Sequence, residues 1–193
     1  MSKRIALFSA AALGVLALTA TVVAPVSAQD KMKSEMSGEK TVMVGGAAMF
    51  RSKNIIQNAV NSKDHTTLVA AVKAAGLVDT LESKGPFTVF APTNAAFGKL
   101  PAGTVDTLVK PENKATLTKI LTYHVVPGKL EASDLTDGKK LKTVQGEELT
   151  VKRSGNTVMI IDAKGGSSTV TIPNVNQSNG VIHVVDTILM PAS

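Results

Sequence analysis

Three histidines, His65, His124 and His183, are the side chains in this sequence best suited to acid-base catalysis or metal binding. They lie far apart along the chain, so no two of them form the local pair that a metal site on one helix or strand would use. The chain has no cysteine, which excludes a thiol nucleophile and a disulfide framework. It also lacks a Gly-x-Ser-x-Gly elbow, a phosphate loop and a dinucleotide fingerprint. We therefore predict a non-enzyme without a catalytic residue, metal or cofactor.

The sequence around these residues favours structural roles. His183 lies in the segment VIHVVDTIL, which is apolar on both faces of a strand and predicts a hydrogen-bonded core histidine, with a ligand role as the alternative. Tyr123 and His124 follow a helical pattern carrying Ile120 and Leu121, so their polar atoms are expected to satisfy buried backbone groups where a helix meets a strand. A hydrolase remains possible only if the fold brings the histidines together.

The elements that must position these residues change type along the chain. Apolar residues recur at helical spacing from Leu68 to Ala75, Gly76 follows as a terminator, and Phe87 to Ala91 predicts a short buried strand. Runs of β-branched residues predict four further strands, at 149–153, 157–161, 169–172 and 181–190. Helices first and strands later indicate an α+β domain with a largely antiparallel sheet.

The first residues have the pattern of an export signal. Lys3 and Arg4 precede an uncharged apolar run from Ile5 to Val23, and the small residues Val26-Ser27-Ala28 suit signal peptidase. We predict a signal peptide at 1–28, with an uncleaved anchor as the alternative, and expect no stable membrane insertion after cleavage.

The remaining chain is expected to form one domain. Its opening segment is rich in lysine, glutamate and serine, which predicts a flexible linker at 29–48. The folded domain is then predicted at 49–193, in a secreted or periplasmic protein.

The charge narrows the partners only slightly. Loss of Lys3 and Arg4 with the leader would reduce the net charge from +6 to +4, a surplus that favours loose attraction to acidic polysaccharide, lipopolysaccharide or nucleic acid without selecting among them. Aromatic residues make up only 3% of the chain and are not interleaved with its basic residues, so we expect no nucleic-acid binding.

Three segments resemble the signatures of the fasciclin (FAS1) domain family in their order and spacing. The segment at 87–97, FTVFAPTNAAF, resembles its first signature, Tyr123-His124-Val125-Val126 its tyrosine-histidine motif, and the segment at 179–186, NGVIHVVD, its second signature. The resemblance spans about Asn54 to Pro191. It implies a FAS1 fold, a twisted antiparallel β-wedge with several helices packed along it, in secreted or surface proteins that mediate adhesion and are not generally enzymes.

The resemblance also suggests where a partner would bind. In animal relatives the tyrosine-histidine region is tied to integrin recognition, so Tyr123, His124, Val125 and Val126 are the candidate interaction motif of this chain. We expect an adhesion or interaction module that contacts surface proteins or extracellular polysaccharide. The alternative is a binding protein for an acidic glycan or a small ligand, suggested by dispersed lysines that include Lys139, Lys140 and Lys142. The oligomeric state stays open.

Overall fold

The computed structural model describes residues 40–192, and the signal peptide predicted at 1–28 lies outside them. Its first element is a β-hairpin of β1 (Val42–Val44) and β2 (Ala47–Met49), joined by Gly45 and Gly46 at φ values of 56° and 75°. The linker predicted at 29–48 is therefore too long, because residues 42–48 belong to this hairpin. A segment remains disordered only if it cannot bury enough apolar surface to offset the loss of conformational entropy. Val44 and Met49 are both buried in the core.

Six helices follow within the described residues, and most have only five residues. They are α1 (Ile55–Ala59), α2 (Thr66–Ala75), α3 (Val78–Glu82), α4 (Asn94–Gly98), α5 (Thr104–Leu108) and α6 (Lys114–Tyr123). Short 3-10 turns at Lys63–His65 and Pro111–Asn113 lead into the two longest. The predicted terminator is confirmed: α2 ends at Gly76, whose φ of 72° is the left-handed conformation that glycine adopts without strain.

Seven strands form the main sheet. They are β3 (Phe87–Pro92), β4 (Val125–Pro127), β5 (Lys140–Lys142), β6 (Glu148–Ser154), β7 (Thr157–Ile161), β8 (Ser167–Gln177) and β9 (Gly180–Val185). The spatial order is β4-β3-β9-β8-β7-β6-β5, and every neighbouring pair is antiparallel except β3 with β9. The predicted α+β class and largely antiparallel sheet are confirmed.

The sheet bends until its two ends approach each other. β8 is longer than the predicted strand at 169–172, and its register with β9 shifts at Val170, Ile172 and Val175. Such irregularities bend a strand. At the closing point the N–H of Val144, just after β5, donates to the carbonyl of Val125 in β4 at 2.8 Å.

The last strand is shorter than predicted. β9 ends at Val185, whereas the apolar pattern predicted a strand to Met190. Asp186 explains the difference, because its carboxylate accepts the N–H of Thr169 at 2.8 Å, and Ser168 Oγ accepts the N–H of Thr187 at 3.1 Å. These side-chain bonds replace the regular ladder at that point.

Two groups of buried apolar side chains fill the interior. The larger lies between the helices and the strands β3, β8 and β9, and includes Leu68, Val72, Leu121, Val175 and Ile182. The smaller lies within the curved sheet and includes Phe90, Tyr123, Leu135, Leu149 and Ile160. Over residues 40–192, no helix has both the length and the apolar character to cross a bilayer.

Candidate functional site

Tyr123, the first residue of the predicted interaction motif, points into the smaller core. It is the last residue of α6 and its side chain has no exposed surface. The phenol donates to the carbonyl of Glu148 at 3.3 Å and accepts the N–H of Ala163 at 2.9 Å. Burial raises the pKa of Tyr123, so the phenol keeps its proton and can make both bonds. Tyr123 therefore ties α6 to β6 and to the loop after β7.

His124 bridges two other parts of the backbone. Its Nδ1 donates to the carbonyl of Ile120 at 2.8 Å, and its Nε2 accepts the N–H of Leu189 at 3.0 Å. These contacts require the neutral ring with the proton on Nδ1, since a second ring proton would face the Leu189 N–H. Burial lowers the pKa of His124 to about 4, which keeps the ring neutral.

Val125 and Val126 complete the motif and are buried as well, on opposite faces of β4. All four side chains of the candidate interaction motif are thus covered by the rest of the domain. A partner cannot reach them in this fold. The motif holds α6, β4 and the C-terminal segment together, and it does not form an exposed contact surface.

His183 has the role that the sequence favoured. It is fully buried in β9, its Nε2 donates to the carbonyl of Leu130 at 2.8 Å, and its Nδ1 accepts the N–H of Asn174 at 3.4 Å. Its ring stacks on Phe90 with centroids 5.7 Å apart. Burial lowers the pKa of His183 below its usual value.

His65 differs from the other two histidines. Its Nδ1 lies 2.9 Å from Ser62 Oγ, but no protein group satisfies the geometry of a hydrogen bond to its buried Nε2. The backbone of Ala91 lies near enough to raise the pKa of the ring, yet desolvation by burial outweighs this and lowers it.

His65 and His124 both line one largely apolar cavity in the core, whereas His124 and His183 are kept apart. In the sheet, Phe90 pairs with His183 on one side and its N–H donates to the His124 carbonyl on the other, so an aromatic residue separates the two positions. Asp162, whose charge slightly raises the pKa of His124, accepts the N–H groups of Lys164, Gly166 and Met190. Within residues 40–192 no group of three His, Asp or Glu side chains could hold a metal ion.

Two asparagines of the signature segments, whose roles the sequence analysis did not identify, connect distant elements. Asn179 Oδ1 accepts the N–H of Ile55 at 3.1 Å, and its Nδ2 donates to the carbonyls of Leu81 at 2.7 Å and Ser83 at 2.9 Å. One amide thus caps the start of α1 and the end of α3.

Asn94 acts similarly on α2, accepting the N–H of Thr67 at 3.0 Å and donating to the carbonyl of Lys63 at 2.8 Å. Asparagine is typical of helix caps, but these caps serve helices distant in sequence, which a local pattern cannot show.

The lysines predicted to favour acidic glycans lie on an outer face of the sheet. Lys140 and Lys142 are exposed on β5, and Lys152 is exposed on β6. The register pairs Lys140 with Thr150 and Lys142 with Glu148, so all three lysines share one face. The charge there is partly compensated, because Lys140 Nζ lies 3.4 Å from the Glu148 carboxylate. Lys139 is half-buried, and its Nζ donates to the Asp134 carbonyl at 2.8 Å.

Comparisons with known proteins agree with this architecture. The model of the Fasciclin domain family matches residues 63–191. The chain is 48% identical to Protein sll1483 of Synechocystis, over 79% of this chain and 82% of that protein. It is 36% identical to the Immunogenic protein MPB70 of Mycobacterium bovis, over 99% and 98% respectively.

A solved structure shares the fold. It is a FAS1 domain pair from the insect cell adhesion molecule Fasciclin I, similar with a TM-score of 0.66 at 18% identity, over 79% of this chain and 58% of that longer chain. At this identity the likeness concerns the fold alone. The sequence resemblance and the FAS1 fold are thereby confirmed, and the chain belongs to the fasciclin domain family.

Proposed function

We propose that this protein acts outside the cytoplasm as a non-catalytic adhesion or interaction module, which contacts surface proteins or extracellular polysaccharide through its outer surface. One observation supports the proposal: the signature residues make hydrogen bonds that connect elements within the domain. Tyr123, His124, His183, Asn94 and Asn179 spend their polar atoms on bonds between elements of the same domain. The signature residues therefore stabilise the fold, and the residues that bind a partner would lie on the outer surface of the domain.

The export signal and the relatives support the extracellular location. The predicted leader at 1–28 would direct the chain across the membrane. A mycobacterial relative that is 38% identical over 76% of this chain has the name cell surface glycolipoprotein MPB83.

A gene deletion tests the adhesion role. We expect loss of the gene to reduce cell aggregation and attachment to surfaces, and the wild-type gene to restore both. Complementation with Tyr123→Phe should restore them in proportion to the amount of folded protein, because the phenol is internal. Unchanged aggregation and attachment after deletion would remove the adhesion proposal.

The lysine face supports a second candidate, binding of an acidic glycan. Lys140, Lys142 and Lys152 present three cations on the exposed face of β5 and β6, and Glu148 is the one carboxylate within the described ranges of these two strands. Anionic polymers are attracted to such a face, and salt weakens the attraction.

Retention on a sulfated dextran column tests this candidate. The triple variant Lys140→Gln, Lys142→Gln, Lys152→Gln should elute at lower salt than the wild type. A control with the same loss of charge, Lys73→Gln, Lys114→Gln, Lys119→Gln, removes exposed lysines from the helices α2 and α6 and should elute close to the wild type. Equal elution of the two variants would mean that net charge alone is responsible.

A further inference from the structure

An internal cavity of about 40 Å³ lies in the larger core, between the N-terminal elements and the sheet. Its wall is almost entirely apolar and is formed by side chains such as Val44, Met49, Leu68, Val72 and Ile182. Three polar residues also reach it, namely Ser62, His65 and His124. Both ring nitrogens of His124 are already bonded, and Ser62 Oγ is bonded to His65 Nδ1. His65 Nε2 is therefore the one polar side-chain atom of this wall, as the described residues form it, that makes no hydrogen bond of normal geometry, although the backbone of Ala91 lies near the ring.

An apolar wall with one unpaired nitrogen favours a particular chemical class of ligand. A buried water needs two to four polar partners, and the side chains of this wall offer one unpaired nitrogen. An unpaired buried nitrogen destabilises the protein, so a ligand that bonds to it gains affinity. A molecule with an apolar body and one hydroxyl group matches both the wall and the nitrogen. A hydroxyl both donates and accepts, so it suits either tautomer of His65.

The position of the cavity also suggests how a ligand could enter it, past the N-terminal hairpin. Six wall residues come from the segment before residue 63, where the match to the family model begins: Val44, Met49, Ile55, Ile56, Ala59 and Ser62. The β1–β2 hairpin forms a sheet of its own, separate from the seven-stranded sheet. Its turn is bonded to the following 3-10 turn through the Lys63 N–H and the Gly45 carbonyl at 3.2 Å. Outward movement of the hairpin would break no strand pair of the main sheet, and it would expose the side chains of Val44 and Met49.

We propose that this cavity is a binding site for a small, mostly apolar molecule that carries one hydroxyl group, with His65 Nε2 as its polar anchor and the β1–β2 hairpin as its cover. The volume limits the ligand. A cavity of about 150 Å³ accommodates benzene, so the present one takes a molecule of a few non-hydrogen atoms.

The site can be tested by NMR titration of the folded chain with 2-propanol, and separately with xenon, which is apolar and cannot hydrogen-bond. We expect 2-propanol to produce saturable shifts in the methyl signals of Val44, Leu68 and Val72 and in the ring signals of His65. His65→Phe should weaken 2-propanol about fivefold, the value of one neutral hydrogen bond, and leave xenon binding unchanged.

A matched pair of core variants keeps the test decisive if His65→Phe does not fold. Val72→Ile adds a methyl group inside the cavity and should weaken both probes, whereas Val158→Ile adds one in the smaller core and should weaken neither. The proposal is overturned if shifts fail to saturate, if the two isoleucine variants behave alike, or if a bound water on Nε2 resists displacement by 2-propanol.

Discussion

Three buried signature residues stabilise the domain through hydrogen bonds that require a particular protonation state. Tyr123, His124 and His183 each connect two backbone groups that are distant in sequence, and each needs a particular neutral form to do so.

Removal of the phenol oxygen should destabilise the domain without changing its shape. Tyr123→Phe leaves the Glu148 carbonyl and the Ala163 N–H without their partner, which we expect to lower the free energy of unfolding by about 1–2 kcal/mol. Urea denaturation followed by circular dichroism measures this, because the chain has no tryptophan and Tyr123 is its one tyrosine. As control, Thr157→Val at the exposed start of β7 should change the value by less than about 0.5 kcal/mol.

Acid should destabilise the domain through His124. In the unfolded chain this histidine binds a proton as the pH falls through about 6.5, whereas in the folded protein it stays neutral down to a pKa of about 4. The unfolded state therefore binds more protons in this window, and the contribution of His124 to stability falls by about 2 kcal/mol between pH 7 and pH 5. The lowered pKa values of His65 and His183 act in the same direction.

The variant His124→Asn separates this effect from general acid denaturation. Its stability at pH 7 should be lower than that of the wild type, but it should lose less on going to pH 5, since one titrating group is gone. Urea midpoints at the two pH values measure the difference. Parallel pH dependences would show that His124 does not carry the effect.

At the scale of elements, Asn179 and Gly180 determine how the helices and β9 meet. Asn179 caps α1 and α3 from the start of β9, and Gly180 lies so close to Phe87 that an added Cβ would collide with the Phe87 carbonyl oxygen. The parallel pairing of β3 and β9 begins at these two residues, with Phe87 opposite Gly180.

Replacement of Asn179 by Asp should be costly. The carboxylate would still accept the N–H of Ile55, but it would place negative charge against the carbonyls of Leu81 and Ser83. We expect a loss of about 3 kcal/mol in the free energy of unfolding, typical of a buried polar group left with unfavourable partners. Asn156→Asp in the exposed β6–β7 turn is the control, and an equal loss there would rule out the capping role.

Two glycine substitutions should have opposite effects. Gly180→Ala forces the β3 and β9 backbones apart and should destabilise the domain by more than about 2 kcal/mol. Gly98→Ala, at the end of α4, meets no atom within 4 Å and should stabilise it by up to about 1 kcal/mol. Thermal denaturation of both variants gives the comparison, and similar shifts in the two would contradict the close approach at Gly180.

For the molecule as a whole, the sequence predicted the fold class and the main elements, but it did not predict that the two ends of the sheet approach each other. Hydrophobic periodicity located α2 and the β6–β7 hairpin because each buries one face within a single segment, and a short continuous apolar run located β3, which is buried on both faces. It missed the β1–β2 hairpin because the pattern there is too short, and it overextended β9 because Ile188 and Leu189 are buried without belonging to a strand.

The site illustrates the same limit. Burial of His183 was predictable from its apolar neighbours, whereas the burial of Val125 and Val126 depends on β4 lying at one end of a sheet that curves back toward β5. The unpaired Nε2 of His65 depends on how the tertiary structure surrounds the ring and has no signal in the sequence. Local sequence patterns predict individual helices and strands. The curvature of the sheet and the helix caps made by residues distant in sequence depend on tertiary structure.

Tyr123, His124 and His183 lie in the interior of the domain, so the contacts that we propose with partners must use its outer surface. NMR titration of the histidine ring signals in the folded protein, from pH 7 to pH 5, tests this interior location most directly. We expect the ring of His124, whose pKa is about 4, to remain neutral throughout with its proton on Nδ1, and the ring of His183 to titrate below the usual value of a histidine. Titration of either ring near pH 6.5, while the domain stays folded, would show a solvent-accessible histidine and would contradict the account.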